Sequence, residues 1–293
     1  MQQLTPADRR HIHWACLAQP QPDGYDTQVI LSLVAEERVA WRPVYVRRPS
    51  AQPPSVRVGG HDVSVGLGPL GPLIEHPRFV PVSGTPAALA RGIAYVERWP
   101  EAAAQWPQIV HRIQCYTDTT ITEAERSDWL KSASHSVDER FGEIAMTTDS
   151  DLNIAQCIVH ETAHNKLRAI GVGNERCIRF IRNPQSELYA SPVVKEIGRP
   201  MTAVLHAQYS FIHVAQLDIK MLEVETEPRA RARIRALLAM NVQRIDQGRE
   251  VIEHNVQVDR DGEAFVSAVL DWTRSVISTG NELLALPETL GST

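Results

Sequence analysis

His160, Glu161 and His164 stand in the order His-Glu-x-x-His within the stretch Cys157-Ile-Val-His160-Glu161-Thr-Ala-His164-Asn-Lys-Leu167. On a helix, a step of four residues returns to within about 40° of its starting direction, so both imidazoles leave the same face. Two neutral imidazole nitrogens on one face can share a metal ion, with the glutamate beside them to handle a proton or hold a ligand. The pattern is short, and chance supplies it in on the order of a few per cent of chains this size. The flanking sequence therefore decides the reading. The bland alternative, a core helix with two incidental histidines, would bury a charged glutamate at a cost unless it were partnered.

The flanks predict a helix. Gly142-Glu-Ile-Ala-Met-Thr-Thr148 reads as a short strand, and Thr148-Asp-Ser-Asp151 supplies N-cap residues. Leu152, Ala155, Val159, Ala163 and Leu167 then form one apolar stripe, widened by Ile154, Ile158 and Ile170, and Gly171 and Gly173 end it.

A catalytic zinc or iron ion takes a third protein ligand and keeps positions open for water or substrate. The compact extension H-E-x-x-H-x-x-G-x-x-H is absent, since Asn165-Lys-Leu-Arg-Ala-Ile170 follows. A ligand from a second helix is the remaining route. His206 leads, because it sits mid-way along the next long apolar stretch, where an imidazole needs a polar partner. His213 lies on nearly the same face about 10 Å further along the axis, too far to share the ion on an unbroken helix. Glu187, Glu196, Asp218, Glu223 and Glu225 are the carboxylate competitors.

Leu188-Tyr-Ala-Ser-Pro192, Gly198-Arg-Pro200 and Val204-Leu-His-Ala-Gln-Tyr-Ser-Phe211, following an H-E-x-x-H helix, resemble the HEXXH motif domain proteins found beside ribosomally made, post-translationally modified peptides. Related members are described as 2-oxoglutarate-dependent, H-E-x-x-H-type peptide β-hydroxylases. The resemblance covers residues 142–222. Thr202-Ala203 and Ala207 depart from it, standing where a Gly-Val and a Gly are expected, and the N-terminal third carries no family motif. The resemblance implies Fe(II), 2-oxoglutarate and dioxygen, with the keto acid decarboxylated and a side-chain β-carbon of a precursor peptide hydroxylated. It implies His160, His164 and His206 as a facial set of ligands, a three-histidine version of the commoner two-His, one-carboxylate triad. Glu161 is then either a ligand or a neighbour of the ligands. Arg199 would grip the distal carboxylate of the cosubstrate bidentately, with Arg168 or Lys166 as other cations. Tyr189 and Tyr209 would donate hydrogen bonds in the same pocket, with Ser191 a weaker choice. Two other readings stand beside it: a zinc metallopeptidase with Glu161 as general base, and a non-catalytic peptide-binding protein with a structural metal.

The rest of the chain must position these residues. At 293 residues, with 43% hydrophobic content, it can bury a proper core, and 22% charged residues is ordinary for a globular protein. A net charge of -5 without a dominant basic tract gives no argument for nucleic acid. No apolar run approaches a membrane span, and the N-terminus has no signal-peptide character. Cys16, Cys115, Cys157 and Cys177 form no C-x-x-C pair and are expected as reduced thiols, which places the protein in the cytoplasm.

Helices are predicted over 4–18, 27–41, 86–99, 122–131, 201–222, from Pro228 onward, and over 262–279, with a loose tail from Leu283. Val56-Arg-Val58 and Val63-Ser-Val65 read as a hairpin around Gly59-Gly60, and Ile109 to Tyr116 as a strand that pairs with the one before the histidine helix. Arg229, Arg231, Arg233 and Arg235, at every second position, cannot share one helix face and read as solvated surface. The fold class expected is α+β, mostly α-helical, with a small β-sheet and the metal site between the H-E-x-x-H helix and the following long helix. The division expected is 1–118 as a helical and irregular β portion, possibly peptide-binding, and 119–293 as the metal-binding catalytic portion, or one continuous domain.

Overall fold

The computed structural model describes residues 12–40, 54–122, 132–173, 179–191, 193 and 197–287, with the side chains of 36–40 set aside. By packing, the chain forms two units, residues 36–165 and residues 1–35 with 166–293. The architecture is α+β and mostly helical, with a small mixed sheet.

The sheet belongs to the unit of residues 36–165. Its strands are β1 (Ser55–Val58), β2 (His61–Val65), β3 (Phe79–Pro81), β4 (Arg112–Asp118), β5 (Ser134–His135) and β6 (Glu143–Thr147). Strands β1 and β2 form the hairpin that the alternation predicts, with Val58 opposite His61. The two residues between them, Gly59 and Gly60, have φ of 54° and 83°, the left-handed backbone that a tight hairpin turn requires. The order is β1-β2-β4-β6-β5, with β3 also on β4. Strand β4 runs parallel to β2 at Arg112 and Ile113, and antiparallel to β3 at Tyr116 to Asp118. Along its length it runs parallel to β6, Ile113 facing Ile144 and Tyr116 facing Thr147. All five residues of β6 are buried, as a continuous Glu-Ile-Ala-Met-Thr run covered on both faces requires. The units do not divide at residue 118, because β4 and β6 lie side by side within one of them.

Helices α2 (Ala87–Val96) and α3 (Pro100–Ile109) precede β4. Pro100 does more than stop α2: it opens α3 at a first-turn position, where its missing N–H is no loss. The helix expected over 122–131 lies outside the described residues except for Thr122. A short connection from β6 leads into the histidine helix α4 (Asp151–Ala169), which follows α1 (Tyr25–Ala40), α2 and α3 in chain order. Its predicted stripe is buried throughout, with Leu152, Ile154, Ala155, Ile158, Ala163 and Leu167 fully enclosed. Gly92 on α2 lies so close to α4 that a Cβ there would stand 2.6 Å from Ile154 Cβ.

The other unit is built on three long helices, α5 (Met201–Val224), α6 (Pro228–Asn255) and α7 (Arg260–Ala285). Helix α5 is buried on nearly every side, as a helix that is apolar all round must be. Two of the arginines read as solvated surface are helix caps instead. Arg231 donates to the carbonyl oxygens of Leu222 and Glu225 at 2.9 and 3.0 Å, and Arg235 to those of Leu283 and Leu284 at 2.9 and 2.7 Å. A guanidinium at a helix C-terminus satisfies orphan carbonyls and opposes the negative end of the dipole. That capping accompanies a last helix running to Ala285, beyond the expected end at 279 and into the expected tail. Residues 4–11 of the expected first helix lie outside the described residues, and Trp14–Leu17 forms a short 3-10 turn. Trp14 packs edge-on to Phe180, which stacks on Phe265 of α7. Asp26 of α1 and Lys166 form a buried ion pair at 3.0 Å, with side chains 0% and 1% exposed. None of the described helices is long and apolar enough to cross a membrane.

Candidate metal centre

His160 and His164 lie one helical turn apart on α4, and their Nε2 atoms are 3.0 Å from each other. The rings meet nearly edge to face, with centroids 4.6 Å apart and planes at 84°. Both histidines are half-buried, whereas Glu161 between them is 2% exposed. Ligand atoms of all three lie within 4.8 Å of one another, the metal-ligating group found among the described residues. Without an ion, one Nε2–H donates to the other Nε2. With one, metal–nitrogen bonds of about 2.0–2.1 Å meeting at angles between about 90° and 110° require nitrogens about 2.8–3.4 Å apart. The observed separation falls in that range, and two imidazoles with a nearby carboxylate are a donor set suited to zinc or iron.

The surrounding residues fix this group from several directions within the sheet-bearing unit. Ser136, directly after β5, donates its hydroxyl to Glu161 Oε2. Asn165, fully buried one turn beyond Glu161, donates to the Glu161 carbonyl oxygen at 2.8 Å and accepts from Gly142 N at 2.8 Å. The single amide thus ties the motif to the turn that opens β6. Gly142 holds φ of 79°, and a Cβ there would stand 2.6 Å from the Ile109 carbonyl oxygen, so only glycine fits. Thr162 bonds back to the Ile158 carbonyl oxygen at 2.7 Å, keeping its hydroxyl satisfied inside the helix. Burial pushes the Cys157 thiol up to about 11; the Glu161 charge adds to the rise, and hydrogen bonds with Ser132 and Ser134 oppose it. Cys157 therefore stays a protonated thiol at neutral pH, a poor metal ligand. Cys115 on β4 is likewise pushed up to about 12 by burial.

His206, Arg199, Tyr189 and Tyr209 belong to the helical unit. His206 is 1% exposed, and its Nε2 lies 2.7 Å from the Val172 carbonyl oxygen. A carbonyl only accepts, so that contact puts a proton on Nε2. His213 makes the opposite choice, with Nδ1 2.8 Å from the Tyr209 carbonyl oxygen and its ring packed against Tyr209 and Trp272. Tyr189 and Arg199 are brought together through their backbones, each N–H bonding the other's carbonyl at 2.8 and 2.9 Å, and the Arg199 side chain is exposed. The Tyr189 hydroxyl donates to Glu187 at 2.5 Å and accepts from Asn183 at 2.9 Å, and the bond to Glu187 raises its pKa. The Tyr209 hydroxyl donates to the Leu17 carbonyl oxygen at 2.9 Å, and burial raises its pKa well above the ordinary phenol value. A phenol has one proton, and both tyrosines have already committed theirs.

The carboxylate competitors have their own partners: Asp218 takes Asn241 at 2.8 Å, Glu223 takes Lys220 at 3.0 Å, and Glu225 accepts from Thr226 N and Glu227 N at 3.0 Å. Glu196 lies outside the described residues. Sequence reasoning missed Ser136 and Asn165. Asn165 carried a signal, since an asparagine inside a helix competes for backbone groups unless its amide is put to such use. Ser136, 25 residues from Glu161 in sequence, carried none. No protein-family model matches this chain, and no curated protein matches it.

Proposed function

We propose that this protein is a metal-dependent enzyme of the cytoplasm that holds its ion on His160 and His164, and that it is an Fe(II)- and 2-oxoglutarate-dependent oxygenase hydroxylating a side-chain β-carbon in a ribosomally made precursor peptide. The observation that carries the metal reading is the pair of imidazole Nε2 atoms 3.0 Å apart beside a buried carboxylate. The oxygenase reading rests on the resemblance of residues 188–211 to the HEXXH motif domain proteins.

Fe(II) with the keto acid and dioxygen supplies the oxidising power that replaces C–H by C–OH. The chain's own residues do the rest. His160 and His164 must both be neutral and carry their protons on Nδ1 for the two Nε2 lone pairs to bind, so acid competes with the metal. Glu161, held by Ser136, accepts a hydrogen bond or a proton beside them. His206 and Arg199 enter through the resemblance. What supports His206 is its Nε2–H held by a backbone carbonyl, an outer hydrogen bond of the kind that orients a ligating imidazole. What supports Arg199 is an exposed guanidinium able to meet a carboxylate. A zinc peptidase is the second reading, favoured by the Glu161 carboxylate standing within 4.8 Å of both imidazoles, where a general base belongs.

Anaerobic reconstitution with Fe(II), followed by 2-oxoglutarate, separates the two. The oxygenase gives a weak visible absorption band that needs both additions; His206→Ala loses iron and band together, and Arg199→Ala needs far more 2-oxoglutarate to reach the same band. Absence of the band, with tight zinc retention and Glu161-dependent cleavage of peptides, would establish the peptidase.

A further inference from the structure

Glu161 is oriented from outside its own helix. Ser136 is 5% exposed and Glu161 2% exposed, and the Ser136 hydroxyl donates to Glu161 Oε2. Ser136 follows β5, whose place is set by its pairing with β6, Ser134 opposite Met146 and His135 opposite Ala145. The main chain of Glu161 is held separately, through the Asn165 amide on its carbonyl. A glutamate on a helix has three side-chain torsions to choose, and fixing its backbone settles none of them. The hydroxyl from the sheet edge supplies that choice, in a place too enclosed for water to stand in without cost.

We propose that Ser136 is a positioning residue for the metal centre, selecting the Glu161 conformation in which its carboxylate stands with the ligand atoms of His160 and His164. The inference rests on the metal reading above and holds whether the ion's chemistry is oxygenation or hydrolysis. Residues that orient a metal site's inner groups typically change affinity or activity by about 10–100-fold when removed.

The test uses the full chain with Co(II) as a spectroscopic probe under anaerobic conditions. Wild type should take up Co(II) and show ligand-field bands, and His160→Ala and His164→Ala should abolish them. Ser136→Ala should shift the bands in the same direction as Glu161→Gln and weaken Co(II) binding by about 10-fold, while Ser136→Thr, which keeps the hydroxyl, restores both. Far-UV circular dichroism checks that each variant is folded. Should Ser136→Ala not fold, Ser136→Cys, a near-equal volume with a weak donor, takes its place and should show the same shift. A Ser136→Ala protein with the wild-type spectrum and affinity overturns the assignment while leaving the metal reading intact. So does a Ser136→Thr protein as defective as Ser136→Ala. A wild type whose Co(II) uptake is independent of His160 and His164 overturns the metal reading, and this inference with it.

Discussion

Replacing Gly92 with alanine tests how closely α2 holds the histidine helix. In a solvent-facing helix the change would stabilise by about 1 kcal/mol, because glycine is the poorer helix former. Here the added Cβ would stand 2.6 Å from Ile154 Cβ, press on its Cγ2, and lie 3.1 Å from the Asp151 carbonyl oxygen. Carbon atoms pack at about 3.5–4.0 Å, so the overlap with Ile154 is about 1 Å. Ile154 is fully buried, and a β-branched side chain in a helix has one strongly preferred rotamer, so it has nowhere to swing. Overpacking of this kind costs about 1–3 kcal/mol, and after the propensity gain the net change runs from about zero to a loss of about 2 kcal/mol. Ile154→Ala alone should cost about 2–5 kcal/mol. In that background the obstacle is gone and Gly92→Ala should stabilise, giving a coupling of about 1–3 kcal/mol. Chemical denaturation of the four proteins, followed by far-UV circular dichroism, measures the cycle. A Gly92→Ala protein more stable than wild type, with no coupling to Ile154, would refute the packing of α2 on α4.

The remaining predictions concern two hydrogen-bonded groups of the sheet-bearing unit. Asn165→Leu leaves Gly142 N–H without its acceptor and should destabilise by about 1–3 kcal/mol; a denaturation midpoint unchanged from wild type would show that the amide clamp is not made in solution. Asp118, bound by Arg78 at 2.7 Å and by Thr120 N and Oγ1, is held well below the usual carboxylate range, first by Arg78. Because its folded pKa is depressed, its contribution is fully present above the unfolded value of about 4 and is lost as pH falls through the folded value. Denaturation curves at pH 7 and pH 3 should therefore converge for Asp118→Asn relative to wild type, and an equal pH dependence in both proteins would contradict the assignment.

How much of this was legible in the sequence follows from which contacts are local. The α4 helix was, because Leu152, Ala155, Val159, Ala163 and Leu167 repeat with the helical period and are all buried. So was the Gly59-Gly60 hairpin, because a two-residue turn with positive φ needs glycine. The pairing of β4 with β6 was anticipated from strand character, while its parallel direction was not. Strands β3 and β5, of three and two residues, have no period to detect and exist through their partners. Arg231 and Arg235 were misread because alternation along a helix says which way a side chain leaves, and nothing about the carbonyls another helix end brings to it. Ser136 was invisible for the same reason: its meaning depends on β5 pairing with β6. The His160–Glu161–His164 group was fully legible, since a four-residue step on a helix is geometry written into spacing.

The central claim is that His160 and His164 share one ion. Metal content measured by mass spectrometry after equilibrium dialysis against Fe(II) or Zn(II), on wild type, His160→Ala and His164→Ala, tests it most directly. One ion per chain in wild type and none in either variant is the result expected; an ion retained in full by both variants would contradict it.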